Sequence, residues 1–298
     1  MNQLLRWGLL GLLLGLGALW FLSRPQPLPA SALPEHKPDL ANGEVLFHAA
    51  GCGSCHGQPD GERARGLLLS GGLVMTTPAG RFHVPNISPH ETAGIGAWSA
   101  LDFVNAMHRG LSPDGRHYYP AFPYTSYQQM TLTDLLDLKA YLDQLPPSAQ
   151  VVPEHELGFP WQLHRGIGLW KRLFLGAEPA LAELPGAEPQ DLLLRGRYLV
   201  EGPGHCGACH TPRTWLLAED PARPLQGAPA ADGKGRVPGI SAEQLADWSV
   251  DDLSYYFEAG VDPDFDVVGG SMVAVQENLA RLPARDRQAI ALYLKTPR

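Results

Sequence analysis

Apolar residues run almost unbroken from Trp7 to Leu22, between Arg6 and Arg24, and the pattern changes at once beyond them. A spanning helix needs about 20 apolar residues, and the apolar core of a cleaved leader about 7–15. Leu4 and Leu5 lengthen the run, and Trp7 and Trp20 suit the two membrane interfaces. Residues 1–24 therefore predict an uncleaved membrane anchor. Ala30-Ser31-Ala32 has the small-residue form of a cleavage site, but it stands well past the run, beyond Pro25, Pro27 and Pro29. Residues 25–40, rich in proline, read as a tether.

Beyond residue 40 the apolar spacing is helical, and the chain repeats itself. Gly43-x-x-x-Phe47 is echoed by Gly196-x-x-x-Val200, and Val84-Pro85-Asn86-Ile87-Ser88 by Val237-Pro238-Gly239-Ile240-Ser241. Trp98-Ser99 and Trp248-Ser249 each open a helical pattern that closes at a glycine, Gly110 or Gly260. Each half ends in an amphipathic stretch, Leu132–Leu145 or Pro283–Lys295, carrying Leu138-x-x-Tyr141 or Ile290-x-x-Tyr293. Residues three and four apart share a helix face. Gly43 and Gly196 are thus expected to let the first helix of each half approach the last. Ser99 with Asp102, and Ser249 with Asp252, have capping-box spacing. Alternating segments are few, so both halves are expected to be mainly α-helical.

The repeat also contains every cysteine: Cys52-Gly53-Ser54-Cys55-His56 and Cys206-Gly207-Ala208-Cys209-His210. Each reads Cys-x-x-Cys-His, the attachment signature of a c-type haem. Two thiols add to the two vinyl groups of one porphyrin, and the adjacent histidine reaches the iron. A four-cysteine zinc ribbon keeps its pairs about 15–20 residues apart, whereas these pairs lie in separate halves. Disulfides leave both histidines unexplained, and no βαβ pattern supports a thioredoxin-like pair. The cofactors expected are two covalently bound haem c. Such attachment takes place outside the bacterial cytoplasmic membrane, so the chain beyond the anchor is expected in the periplasm, single-pass on the inner membrane.

His56 and His210 are the proximal ligands, each ring oriented through its other nitrogen by a backbone carbonyl. A methionine opposite each histidine raises the potential relative to a second histidine. Met272, after Gly269-Gly270, is the choice in the second half. In the first half the matching position carries Phe122. Met130 is the first choice there and Met107 the alternative. Met75, a histidine (His83, His90, His108 or His117) or an open site complete the possibilities.

Several longer motifs carry a resemblance. They are Pro85-Asn86-Ile87-Ser88-Pro89, Gly94-Ile95-Gly96-Ala97-Trp98-Ser99, Asp114 through Tyr124, and Gly202-Pro203-Gly204-His205-Cys206-Gly207-Ala208-Cys209-His210. Over nearly all of the chain beyond residue 40 it resembles the membrane-anchored dihaem cytochromes c. It is also similar to the cytochrome subunits of periplasmic alcohol, gluconate and aldehyde dehydrogenases. The resemblance implies two tandem class I cytochrome c domains, 41–146 and 190–298, joined by a connector, 147–189. It also implies haem attachment at Cys52, Cys55, Cys206 and Cys209, with His56, His210 and Met272 on iron.

The function expected is electron relay, without turnover, between a membrane or dehydrogenase donor and an acceptor cytochrome or oxidase. The alternative is a haem enzyme, a dihaem peroxidase or small-molecule dehydrogenase, with a labile sixth ligand at the first iron. A formal charge of −8 argues against nucleic acid as a partner. Between Ile240 and Ala280 the charged residues are all acidic: Glu243, Asp247, Asp251, Asp252, Glu258, Asp262, Asp264, Asp266 and Glu277. That face suits a basic redox partner such as a soluble cytochrome. The aromatic and basic stretch Phe159–Leu175 reads as a connector packed between the halves. Its composition permits a membrane-surface segment, against which Gly166 and Gly168 weaken a continuous amphipathic helix.

Overall fold

The computed structural model describes residues 3–60, 63–77, 79–176, 191–230, 233 and 235–297. The stretch 177–190, which ends the expected connector and opens the second expected domain, lies outside the described residues.

α1 (Gln3–Leu22) is apolar on all sides and buries none of its residues against the rest of the chain. Five helices follow in the first half: α2 (Leu40–Ala49), α3 (Cys52–His56), α4 (Ala100–Arg109), α5 (Tyr124–Tyr127) and α6 (Leu132–Leu142). α7 (His164–Phe174) stands between the halves. The second half repeats the series with α8 (Asp191–Glu201), α9 (Gly207–His210), α10 (Val250–Ala259), α11 (Met272–Leu279) and α12 (Ala284–Leu294).

The repeated sequence signals act as expected. A Cβ on Gly43 would stand 2.4 Å from the Asp137 carbonyl oxygen and 2.8 Å from Tyr141 Cβ. One on Gly196 would stand 1.9 Å from the Ala289 oxygen and 2.9 Å from Tyr293 Cβ. α2 therefore lies against α6, and α8 against α12, at a separation only glycine permits. Phe47 packs on Tyr141, ring centroids 5.4 Å apart. Ser99 caps α4 and Ser249 caps α10, each with its aspartate closing a capping box. Gly110 and Gly260 end those helices in the left-handed conformation.

One departure from the expected pattern is a set of short strands. β1 (Gln58–Asp60) pairs with β2 (Arg63–Arg65), and β4 (Gly80–His83) pairs with β3 (Val74–Thr77) on one side and β5 (Glu156–Leu157) on the other. β6 (Ala228–Pro229) pairs with β7 (Arg236–Val237), and every pairing is antiparallel. Runs of two to four residues are too short to print a period of two on the sequence. Met75 sits on β3 and packs with Phe82, Tyr119 and Ile167.

The two cores share residues. Tyr198 of α8, fully buried, belongs to the core of the first half, and Ala49 of α2 to that of the second. The Tyr198 hydroxyl donates to Asp134 and accepts from the Thr131 N–H at 3.2 Å. His48 Nδ1 and Asn278 Oδ1 are 3.1 Å apart.

Candidate haem attachment sites

Each Cys-x-x-Cys-His run folds into a single helical turn, α3 or α9, directly after the first helix of its half. One turn suffices to bring thiols three apart onto one side and to send the next side chain across the crevice. Gly51 enters α3 in the left-handed conformation at φ 59°, and His205 occupies the equivalent place at φ 37°, unusual for a residue with a side chain.

Both histidines are oriented alike. His56 Nδ1 donates to the Pro85 carbonyl at 2.8 Å, and His210 Nδ1 to the Pro238 carbonyl at 2.8 Å. Those prolines are the repeated Val-Pro. The segments are held in place by a device that the repeat analysis missed. Gly71 N–H donates to the His56 carbonyl at 2.8 Å, and Gly227 N–H to the His210 carbonyl at 2.7 Å. Ile87 and Ile240 N–H then pair with Leu69 and Leu225 carbonyls at 3.0 and 2.8 Å. Gly71 and Gly227 have φ of 65° and 82°, and a Cβ on either would collide with the proline segment, at 2.4 Å from Pro85 C or 2.8 Å from Gly239 N. The signal was present as Leu69-x-Gly71 and Leu225-x-Gly227.

With Nδ1 donating, Nε2 is the unprotonated nitrogen of the neutral ring and carries the lone pair a metal needs. Burial pushes both histidines below their usual range, against the opposing pull of the carbonyl, so both rings stay neutral.

The thiols respond to the same surroundings. Burial first, and then Cys55, pushes the Cys52 thiol up to about 12. Cys55 and Cys209 are solvent-accessible, yet burial is the main cause raising both. Both thiols reach solvent while packed closely by their neighbours. No two of these cysteines are joined in a disulfide. The donor set fits a covalently held haem: two protonated thiols on one turn, and a neutral imidazole aimed by its back nitrogen.

The two attachment sites adjoin. After burial, the nearness of Cys209 is what raises Cys55. Tyr127, fully enclosed, lies near Cys52 and Cys55 and meets the His205 ring edge-on at 5.7 Å. His205 Nε2 reaches the Ala50 carbonyl at 3.3 Å, and Asn278 Nδ2 donates to Ser54 Oγ at 2.7 Å.

Met272 is the first residue of α11 and packs partly buried on the second core. The bridges Leu111↔His117 and Val261↔Val267 put the distal segments of the two halves in register, with Phe122 in the place of Met272. Met130 is fully buried in the core, beside the seam, 3.7 Å from where a Cβ on Gly202 would lie. It holds the place of Leu282, directly before the last helix. Met107 is buried on α4.

Fold and site together define a covalent-haem protein, a carrier of electrons. A profile of the cytochrome c family matches residues 40–146. A diheme cytochrome c-type protein of Cereibacter sphaeroides is 44% identical over 284 residues, covering 95% of this chain and 94% of that protein. The cytochrome subunit of a fructose dehydrogenase from Gluconobacter japonicus is 34% identical over 91% of the chain, and the cytochrome c subunit of a gluconate 2-dehydrogenase from Pantoea cypripedii 36% identical over 86%. The chain spans 54% and 59% of the length of those two subunits. The chain belongs to the cytochrome c family, and its role is that of an electron carrier rather than an enzyme.

Proposed function

We propose that the chain is a dihaem relay, single-pass on the bacterial inner membrane, passing electrons between a membrane or dehydrogenase donor and an acceptor cytochrome or oxidase in the periplasm. Two tandem class I domains, 41–146 and 190–298, each hold one haem. Cys52 and Cys55 attach the first, with His56 on its iron; Cys206 and Cys209 attach the second, with His210 and Met272. Bound haem supplies a reversible one-electron couple. The chain's residues orient the histidines, exclude water and bring the two sites together. The observation that carries this reading is the matched pair of proline-held histidines at adjoining sites.

The proposed second axial ligand of the first haem is Met130, with Met107 the alternative. One observation favours the second reading, a haem enzyme with a labile ligand at that iron: Phe122 stands where Met272 stands in the other half. Spectra of Met130→Ala and Met107→Ala distinguish the readings. Loss of one methionine-to-iron band identifies the ligand. A wild-type first haem that lacks the band and takes up added cyanide supports the enzyme.

For the partner, Asp264 and Asp266 flank the exposed Phe265 and Val267 (88% and 77% accessible) in the chain, within the acidic stretch from Glu243 to Glu277. Exposed apolar side chains beside carboxylates suit a basic redox protein. Similarity to dehydrogenase cytochrome subunits supports a dehydrogenase as donor.

A further inference from the structure

The carbonyl end of α1, though its side chains stay exposed, is tied to the folded part of the chain through Ser23 and the helix's last carbonyls. Ser23 is 4% exposed, and its carbonyl accepts from His117 Nε2 at 2.9 Å. Arg172 Nε, on α7, donates to the Leu22 carbonyl at 3.2 Å. The Arg165 guanidinium lies 3.6 Å from the centroid of the Trp20 ring and 3.4 Å from the Ser23 hydroxyl. Cationic donors at the carbonyl end of a helix satisfy its open acceptors and oppose its dipole. Gly168, whose presence argued against a membrane-surface helix, is what allows the approach: a Cβ there would stand 2.4 Å from the Ser23 oxygen. His117 is in turn held by the buried Lys171, Nζ to Nδ1 3.2 Å, which donates to the Arg109 and Gly110 carbonyls at the end of α4.

These contacts fix the depth of α7. The 20 residues of α1 span about 30 Å, the thickness of a bilayer's hydrocarbon. If α1 is the anchor, its last turn lies at the outer leaflet and α7 lies there with it. A groove of about 260 Å³ separates Leu16, Leu19 and Trp20 from Arg165, Gly166 and Leu169. On α7 and in the segment leading into it, Phe159, Leu163 and Leu173 are 82%, 57% and 70% exposed. Trp170 Nε1 donates to the Leu216 carbonyl at 2.8 Å, which draws in a loop of the second half. That loop presents Trp215 (88% exposed) and Leu217.

We propose that α7 and the loop 214–217 form a second membrane contact, embedded among the phospholipid headgroups of the leaflet where α1 emerges. The inference rests on the anchor reading and goes beyond it. Together with the contacts at Leu22 and Ser23, this surface holds the haem-bearing halves in one orientation to the bilayer. Aromatic and leucine side chains interleaved with arginine are the composition of an interfacial surface.

The test uses the full haem-loaded chain, reduced, carrying 5-fluorotryptophan, in phospholipid nanodiscs with and without gadolinium-chelating headgroups. Signals are assigned by Trp20→Phe and Trp215→Phe. Trp98 and Trp248, packed against the two cores, serve as references. The expected result is loss of the Trp20 and Trp215 signals while both references persist. Loss of Trp20 with Trp215 intact overturns the second contact and leaves the anchor standing. Retention of Trp20 overturns the anchor reading, and this inference with it.

Discussion

Substituting Gly196 by alanine puts one methyl group where the structure has no room for it. The added Cβ would lie 1.9 Å from the Ala289 oxygen, 2.6 Å from its carbonyl carbon and 2.9 Å from Tyr293 Cβ. Ordinary contact begins near 3.4 Å, so α8 and α12 must part by roughly 1.5 Å at their closest point, and the obstacle is backbone, which cannot rotate aside. A separation of that size forfeits most of the dispersion contact of the atoms involved. Overpacking costs about 1–3 kcal/mol, here at the upper end, and the better helix propensity of alanine returns about 1 kcal/mol. The expected net loss is about 2 kcal/mol, a fall in Tm of roughly 8–16 °C for a unit of about 100 residues. Gly166→Ala is the control, since a Cβ there meets nothing within 4 Å. It should melt with or above the parent. Melting of the haem-loaded chain in detergent, followed by far-UV circular dichroism, compares the three. A Gly196→Ala protein as stable as the parent would refute the close-packed helix pair.

Other expectations follow from single contacts. Ser249→Ala removes the cap from α10 and should cost about 1 kcal/mol, read as a lower denaturant midpoint at unchanged slope. Burial lowers Lys171 from 10.5 to about 7. Between these values the unfolded chain binds a proton that the folded chain does not, so the unfavourable contribution is absent above 10.5 and complete below about 7. Wild type should therefore gain stability relative to Lys171→Met as pH rises from 7 toward 10, measured by denaturant titration across that range; parallel curves would contradict the burial. Electron transfer to a basic soluble cytochrome should slow as ionic strength rises, in stopped-flow mixing, if the acidic surface from Glu243 to Glu277 guides docking.

Much of this was legible in the sequence because it is local or repeated. The Cys-x-x-Cys-His runs, the capping boxes and the two helix-contact glycines each depend on residues a fixed few positions apart. The duplicated Val-Pro segments showed that something is held in place, and Leu69-x-Gly71 with Leu225-x-Gly227 shows how. What the sequence hid are contacts between distant, unlike residues. Ser23, His117 and Lys171 share no spacing and no repeat, and meet only because α7 folds back onto the end of α1. Gly168 looked like a helix breaker until its neighbour was known. Tyr198 reads as an ordinary core residue of its own half, yet it crosses the seam to Asp134. The asymmetry at the first haem was visible as Phe122 against Met272, and the structure keeps it.

The central claim is two haems, each held by its own pair of thiols. Intact-mass spectrometry of the chain matured in a periplasm, run beside Cys52→Ala/Cys55→Ala and Cys206→Ala/Cys209→Ala proteins, addresses it most directly. The account predicts two covalent haems on the parent and one on each variant, with the pyridine haemochrome absorbance halved to match. A parent that carries a single haem, or a variant that keeps both, would contradict it.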